Sequence, residues 1–292
     1  MHKEKLISKI IRKYAPKTAD QGPARSIDII GDIAVLKMPN ALQNRHQFAE
    51  ALLKEAPNIK VVYRQTSPVS GDYRLRDLEW LAGERRSVTT YKEDGCSIEV
   101  DLEKDYFSPR LAFERTQIAK QVKAQESSSG RGQVIVNMFA GVGTFSLRIA
   151  KETKLSKIYS IDINPDAFNR MSRNVLTNKM LGRIVCMFGD AVSFTNNVLE
   201  AEADRVLMPL PEKSLEYIRS AVAALKHDGG IVNIQNFTHA GKGVNPVQTS
   251  RCELQKALQD VERRYVLESE RIIRSVGPGR YQIAHDVRVI PA

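Results

Sequence analysis

The rhythm of hydrophobic positions changes twice along this chain. In residues 1–18, Leu6, Ile7, Ile10, Ile11 and Tyr14 recur at helical spacing among basic residues, which predicts a short basic amphipathic helix. From Ser26 to about Val100 the apolar runs shorten. There "SIDIIGDIAVLKM", "KVVYRQT", "SVTTYK" and "CSIEVDL" read as strands and "NRHQFAEALLKEA" as a helix, with Gly and Pro at the turns, which makes a small α+β module. "DYFSPRLAFERTQIAKQVKAQ" is helical again, with Ser108 as the expected N-cap and Pro109 at the first helical position. After the loop "ESSSGRGQ", the strands "VIVNMF", "KIYSIDI", "RIVCMFGDA", "ADRVLMPL" and "GGIVNIQNF" alternate with helical stretches, and "RRYVLESERII" and "YQIAHDVRVI" close the chain. That alternation predicts an α/β fold, a doubly wound and mostly parallel sheet with helices on both faces. The expected organisation is a basic helix over residues 1–25, the small module over 26–104, a bridge helix and linker over 105–130, and the doubly wound domain over 131–292.

Composition narrows the chemistry. A chain of 292 residues with 42% hydrophobic content can bury one large core or two modest ones. Three cysteines (Cys96, Cys186, Cys252) without a CxxC spacing speak against a disulfide framework and a structural zinc site, so no metal is expected. No run approaches the roughly 18 apolar residues of a membrane span, and "MHKEKLISKIIRKYAPK" lacks the apolar core of a signal peptide, so a cytoplasmic protein without membrane association is expected. A formal charge of +10 attracts a polyanion such as nucleic acid if it is gathered on one face; spread out, it is ordinary solvated surface.

The segment "NMFAGVGTFSLRIA", residues 137–150, sets a glycine turn between a strand and a helix, at the ligand-binding edge of a doubly wound sheet. Gly141 and Gly143 let backbone approach a ligand with no Cβ between them. "IYSIDINPDA" ends the next strand on Asp162, about twenty residues further on, where a carboxylate can accept hydrogen bonds from ribose hydroxyls. "IVCMFGDA" then brings Asp190 to the same edge. A dinucleotide would want G-x-G-x-x-G/A, and the third glycine is replaced by Ser146. S-adenosylmethionine carries no phosphate and needs fewer glycines, so the three strand ends favour this methyl donor over NAD. In the blander reading the carboxylates only cap helices.

Five segments, "YFSPRLAFER", "NMFAGVGTFSLRIAK", "IYSIDINPDA", "DRVLMPLPEKS" and "SVGPGRYQIAHDVRV", resemble the archaeal and eukaryotic tRNA (guanine-N1)-methyltransferases that act at tRNA position 37, beside the anticodon. Upstream, "IDIIGDIAVLKMP", "VVYRQTSPVSGDYRLRDLEWLAGE" and "TTYKEDGCSIEVDLEKDYFSPR" resemble the small RNA-facing domain of that family, so the likeness runs from about residue 27 to the C-terminus. It implies S-adenosylmethionine as donor, the tRNA anticodon stem-loop as partner, and a monomer.

The resemblance also implies roles. Neutral guanine has no free in-plane lone pair at N1, so a general base must remove the N1 proton; the family's base corresponds to Glu114. Negative charge then builds on the neighbouring carbonyl oxygen, and the family's arginine for that charge corresponds to Arg74. The donor edge is expected to comprise Phe139, Ala140, Gly141, Gly143, Asp162, Ile163, Asp190, Ala191 and Pro209. Tyr106, Arg110 and Pro211 are expected to meet the substrate. The bland alternatives are a charged helix face for Glu114, a phosphate contact for Arg74 and a surface salt bridge for Arg110. This chain departs from the family twice: Asn137 stands where an acid is usual, and Pro209-Leu210-Pro211 stands where the signature is Asn-Leu-Pro. Pro209 offers only its carbonyl to a base, which leaves methylation of a tricyclic wyosine precursor as an alternative. Aminocarboxypropyl transfer from the same donor and a non-catalytic RNA-binding module are the other readings carried forward.

Overall fold

The computed structural model describes residues 26–38 and 44–291; the helix expected over residues 1–18 lies outside them. The chain divides into two compact units with the boundary between Pro109 and Arg110. Residues 105–130, expected as a bridge, therefore divide between the two units, and the long helix in that stretch is part of the second.

In the first unit β1 (Ser26–Ile30) and β2 (Ile33–Lys37) form an antiparallel hairpin. Helix α1 (Arg45–Glu55) crosses over, β3 (Val61–Gln65) returns parallel to β2, and β4 (Leu78–Gly83) pairs antiparallel with β3. Helix α1 buries Phe48, Ala49 and Leu52 in one cluster with Leu36, Val62 and Leu81. A second hairpin, β5 (Val88–Glu93) and β6 (Cys96–Asp101), turns through Asp94 and Gly95. Both have positive φ, 46° and 77°, as a two-residue turn matched to the strand twist requires, and Asp-Gly supplies it most cheaply.

The second unit opens with α2 (Ala112–Ser129). Contrary to the expected Ser108 cap, residues Pro109–Leu111 wind as a 3-10 turn and no side chain caps α2 at Leu111. The proline still opens the helical path, since its missing N–H costs nothing there, but the α-helix proper starts at Ala112. Glu114 thereby falls in its first turn.

The strands β7 (Val134–Asn137), β8 (Lys157–Asp162), β9 (Ile184–Phe188), β10 (Arg205–Met208) and β11 (Gly230–His239) alternate with α3 (Thr144–Glu152), α4 (Pro165–Thr177), α5 (Ala191–Asn197) and α6 (Ile218–Ala223). Helix α7 (Pro246–Leu258) then leads into the long hairpin β12 (Tyr265–Gly277) and β13 (Arg280–Val289). The sheet order is β12-β13-β11-β10-β7-β8-β9, parallel from β11 to β9 and antiparallel through β13 and β12. This is the doubly wound, Rossmann-like arrangement expected from the alternation, closed by an antiparallel edge. The core runs through the sheet, from Val136 and Ile161 to Val206, Val232, Ile234, Leu254 and Val287.

Helix α2 does not dock through an apolar stripe alone. Its buried positions are Glu114, Arg115, Ile118, Ala119 and Val122, a mixture of charge and hydrocarbon at i, i+4 spacing. Polar groups complete the contact. Arg205, 1% exposed at the start of β10, donates to Asn233 Oδ1 (2.5 Å), Gln125 Oε1 (2.7 Å), Gln133 Oε1 (3.1 Å) and Gln121 Oε1 (3.2 Å). Near the C-terminal end of α2, the Glu126 carboxylate accepts the backbone N–H groups of Lys154, Leu155 and Ser156.

Candidate active site

Strand order reverses between β7 and β10, and there the parallel strands present their C-terminal ends. The chain leaves β7 at Asn137 and passes through Phe139, Ala140, Gly141 and Gly143 into α3. Gly143, the residue capping α3, has φ +88°, and a Cβ there would come within 3.0 Å of Met171. Three hydrogen bonds tie neighbouring turns into one rim. Ala140 N–H donates to the Ile161 carbonyl (2.8 Å), Gly141 N–H to Asp162 Oδ2 (2.5 Å), and Gly189 N–H to the Asp162 carbonyl (3.1 Å).

Asp162 Oδ1 accepts the Asn164 N–H at 2.9 Å, so each carboxylate oxygen holds one backbone donor and keeps a lone pair for another. Burial pushes the Asp162 carboxyl above its usual value, against the Asn164 and Gly141 N–H groups, which favour the charged form. Ile163 is exposed beside it; so is Phe188, whose ring packs 5.6 Å from Phe168. Asp190 caps α5 by accepting the Ser193 N–H (2.7 Å), which is the blander role considered for it, and Ala191 is buried behind it. Phe139 packs against Tyr217 with ring centres 5.5 Å apart.

Asn137 tests whether the methyl donor fits this rim. It is fully buried, its Nδ2 donates to Ser146 Oγ (3.1 Å), and Ser160 Oγ also donates to Ser146 Oγ (2.7 Å). Asn137 Oδ1 has no hydrogen-bond partner. A buried acceptor left open at the strand end suits an ammonium such as that of the methionine part of S-adenosylmethionine, and Asp162 has acceptor capacity for the ribose. Asp162→Ala is expected to raise the dissociation constant for S-adenosylmethionine about ten- to a hundredfold, measured by calorimetry, because hydrogen bonds to a charged group contribute roughly 1.5–3 kcal/mol.

Glu114 is 2% exposed and lines a narrow cavity with Phe145, Pro209, Asn233, Gln235 and His285. The Arg271 guanidinium grips its carboxylate with both prongs, Nε to Oε2 at 2.9 Å and Nη2 to Oε1 at 2.5 Å. The same guanidinium donates from Nη1 to Asp286 Oδ2 at 2.8 Å. Asp286 also accepts from Gln121 Nε2 (2.7 Å) and Asn233 Nδ2 (2.5 Å). Burial pushes the Glu114 carboxyl above the usual carboxylate value, Arg271 works against that, and the negative charge of Asp286 adds to it. For Asp286 burial acts upward too, but Arg271, Ser269 and Gln121 hold it below its ordinary value.

Arg74 belongs to the first unit, in a loop closed by paired hydrogen bonds between Ser70 and Leu75 (2.9 and 3.1 Å). Its φ is +55°, a costly conformation for a long side chain and one that concentrates at functional sites. Its guanidinium carbon lies 3.9 Å from the centre of the Tyr106 ring, so two of the expected residues form one stacked pair. Arg110 is exposed in the 3-10 turn. Pro211 is buried, and its carbonyl accepts the Phe237 N–H at 3.1 Å, which fixes the Pro209 turn against β11.

Two residues around Glu114 were not singled out in the sequence. Arg271 and Asp286 come from the terminal hairpin; Arg271 stands 157 positions from Glu114 and has no spacing that would single it out. Phe113, one position before Glu114, is 69% exposed. An apolar run interrupted by a charged pair, "LAFER", is compatible with a buried phenylalanine, so its exposure was not legible.

The model of the TRM5/TYW2 methyltransferase domain matches residues 89–262, and that of the TYW2 N-terminal domain matches residues 7–86. The chain is 34% identical over 265 residues to the tRNA (guanine(37)-N(1))-methyltransferase Trm5b of Pyrococcus abyssi, covering 90% of this chain and 74% of that protein. It is also 34% identical over 267 residues to the tRNA 4-demethylwyosine(37)-methyltransferase Taw21 of Saccharolobus solfataricus, covering 90% of this chain and 94% of that one. Among solved structures, the complex of aTrm5 with tRNALeu superimposes with a TM-score of 0.81 at 32% identity, over 97% of this chain and 78% of that one. With a family model matched over more than half its length and relatives of this identity, the chain belongs to the TRM5/TYW2 methyltransferase family.

Proposed function

We propose that the protein transfers a methyl group from S-adenosylmethionine to N1 of guanosine at position 37 of tRNA, acting as a monomer in the cytoplasm on the anticodon stem-loop. The observation that carries this reading is a buried carboxylate, Glu114, in a cavity it shares with Pro209 at the C-terminal end of β10. When bound, S-adenosylmethionine supplies a methyl carbon attached to a positively charged sulfur. Glu114 accepts the N1 proton, and the pair of electrons left on N1 becomes the nucleophile. Arg74 is assigned to the carbonyl oxygen where charge builds as that proton leaves. Asn137, Gly141, Gly143, Asp162 and the apolar Ile163 are assigned to holding the donor in line with N1, where a near-attack geometry lowers the barrier. Tyr106 and Arg110 are assigned to the RNA, and so is Pro211 through the turn it fixes.

The deciding experiment is mass spectrometry of nucleosides after incubating the protein and donor with tRNA transcripts bearing guanosine or adenosine at position 37. N1-methylguanosine confined to the guanosine transcript is the expected result; no methyl on it removes the assignment. Phe113, exposed one position before Glu114 in the sequence, is assigned to stacking on an unpaired nucleotide of the loop. Phe113→Ala should raise KM for tRNA about tenfold or more with donor affinity unchanged, since base stacking on an aromatic ring contributes roughly 1–3 kcal/mol.

Methylation of a wyosine precursor at the same position is the second reading, favoured by Pro209 in the place of asparagine. Without a side-chain acceptor there, the pocket demands less of the exocyclic amine of the base. The relative from Saccharolobus solfataricus carries 4-demethylwyosine in its name and is as similar to this chain as Trm5b of Pyrococcus abyssi. Supplying 4-demethylwyosine tRNA beside the guanosine transcript in the same assay separates the two.

A further inference from the structure

Glu114 does not stand alone: one guanidinium is shared by two buried carboxylates. Arg271 meets Glu114 through two hydrogen bonds and Asp286 at 2.8 Å, and both acids are at most 2% exposed. With both acids ionised the cluster carries one negative charge more than positive. The surroundings offset it only in part. His285, in the same cavity, is held neutral by burial, which pushes its proton affinity down, while its ring nitrogens bond Ser250 and Glu270. Asn233 and Gln235 carry no charge. Arg205, a buried cation, acts on Asp286 across Gln121 and Asn233, each of which also bonds Asp286. Arg115, on the same helix as Glu114, is buried with partners of its own.

Resting on Glu114 as the base, we propose that Arg271 and Asp286 are its positioning residues: Arg271 fixes the plane of the carboxylate, and Asp286 supplies the surplus charge that makes proton capture neutralise the cluster. In the step, the N1–H bond of the target guanine breaks heterolytically. The proton goes to a Glu114 oxygen, the electron pair stays on N1, and the cluster passes from a net charge of minus one to zero with Arg271 still paired to Asp286. In a medium of low dielectric, removal of a charge that is only partly compensated assists the transfer. Asp286 thus opposes the weakening of the base that a lone Glu–Arg pair would suffer.

The two partners must act on Glu114 in opposite senses, and a merely structural role would not. Single-turnover methyl transfer measured against pH, at saturating donor, reports the protonation of Glu114 as its acid limb. Asp286→Asn should move that limb to lower pH by about one unit and lower the plateau rate, because the surplus charge is gone. Arg271→Met should move it to higher pH by about one to three units, because the stabilising cation is gone. Arg271→Lys should stay near the unchanged protein, and the double variant Arg271→Met/Asp286→Asn, which restores charge balance if the single variant folds poorly, should fall between the two single shifts. Limbs that coincide, or that move in the same direction, overturn the proposal. Full activity of Glu114→Gln would instead overturn the base assignment itself, so the two failures are distinguishable.

Discussion

Glu114→Gln is expected to reduce single-turnover methyl transfer by about 10²- to 10⁴-fold, the range that a positioned general base contributes. The amide is isosteric and can still accept one hydrogen bond from Arg271, and Arg271 keeps its contact with Asp286, so the cavity is preserved. What disappears is the acceptor for the N1 proton. Donor affinity measured by calorimetry should not change, since the turns assigned above to the donor follow β7, β8 and β9 and do not include α2. A rate within about threefold of the unchanged protein would show that another group, or bulk solvent, removes the proton. That outcome would return Glu114 to the charged helix face that its sequence context also allows.

Arg205→Ala is expected to cost about 3–5 kcal/mol of unfolding free energy, the scale on which buried charged networks lose stability when one partner is removed. Arg205 is charged, almost wholly enclosed, and bonded to four side-chain amide oxygens with no carboxylate directly against it. Burial pushes its affinity for the proton down to about 10, so it remains a cation at neutral pH. Truncation leaves Gln121, Gln133 and Asn233 with acceptors that lost this donor, Gln125 keeping only the amide of Gln133, and a void beside them. Urea denaturation followed by circular dichroism measures the loss. A change under about 1 kcal/mol would mean that water enters and satisfies the four amides, and that the guanidinium is dispensable to the docking of α2.

The doubly wound sheet was legible because its central strands are short apolar runs separated by helical stretches, and the meeting of the strand-end turns because a glycine turn and two acids stand at consecutive strand ends. The start of α2 was only partly legible: Ser108 and Pro109 together look like a cap, but the proline leads through a 3-10 turn and the cap position falls on Leu111. The environment of Glu114 was not legible at all. Its face of α2 interleaves acid and amides with Ile118 and Val122, so periodicity is flat, and its partner Arg271 lies in "ESERIIRSV", an edge strand without contrast between faces. Long-range ion pairs obey no local spacing, so a pattern reading meets Glu114 and Arg271 as two unrelated surface charges. The stacking of Arg74 on Tyr106 was hidden for the same reason, although both residues were singled out separately.

A helix resting on oily side chains can slide along its own axis by fractions of an ångström at little cost, because dispersion contacts are many and undirected. Helix α2, about 27 Å long at 1.5 Å per residue, is pinned instead by directed bonds near both ends, from Arg271 at Glu114 to Ser156 at Glu126. Its axial register is thereby fixed against the sheet. A proton acceptor that must meet a ring nitrogen within a few tenths of an ångström is mounted on the one kind of contact that forbids creep.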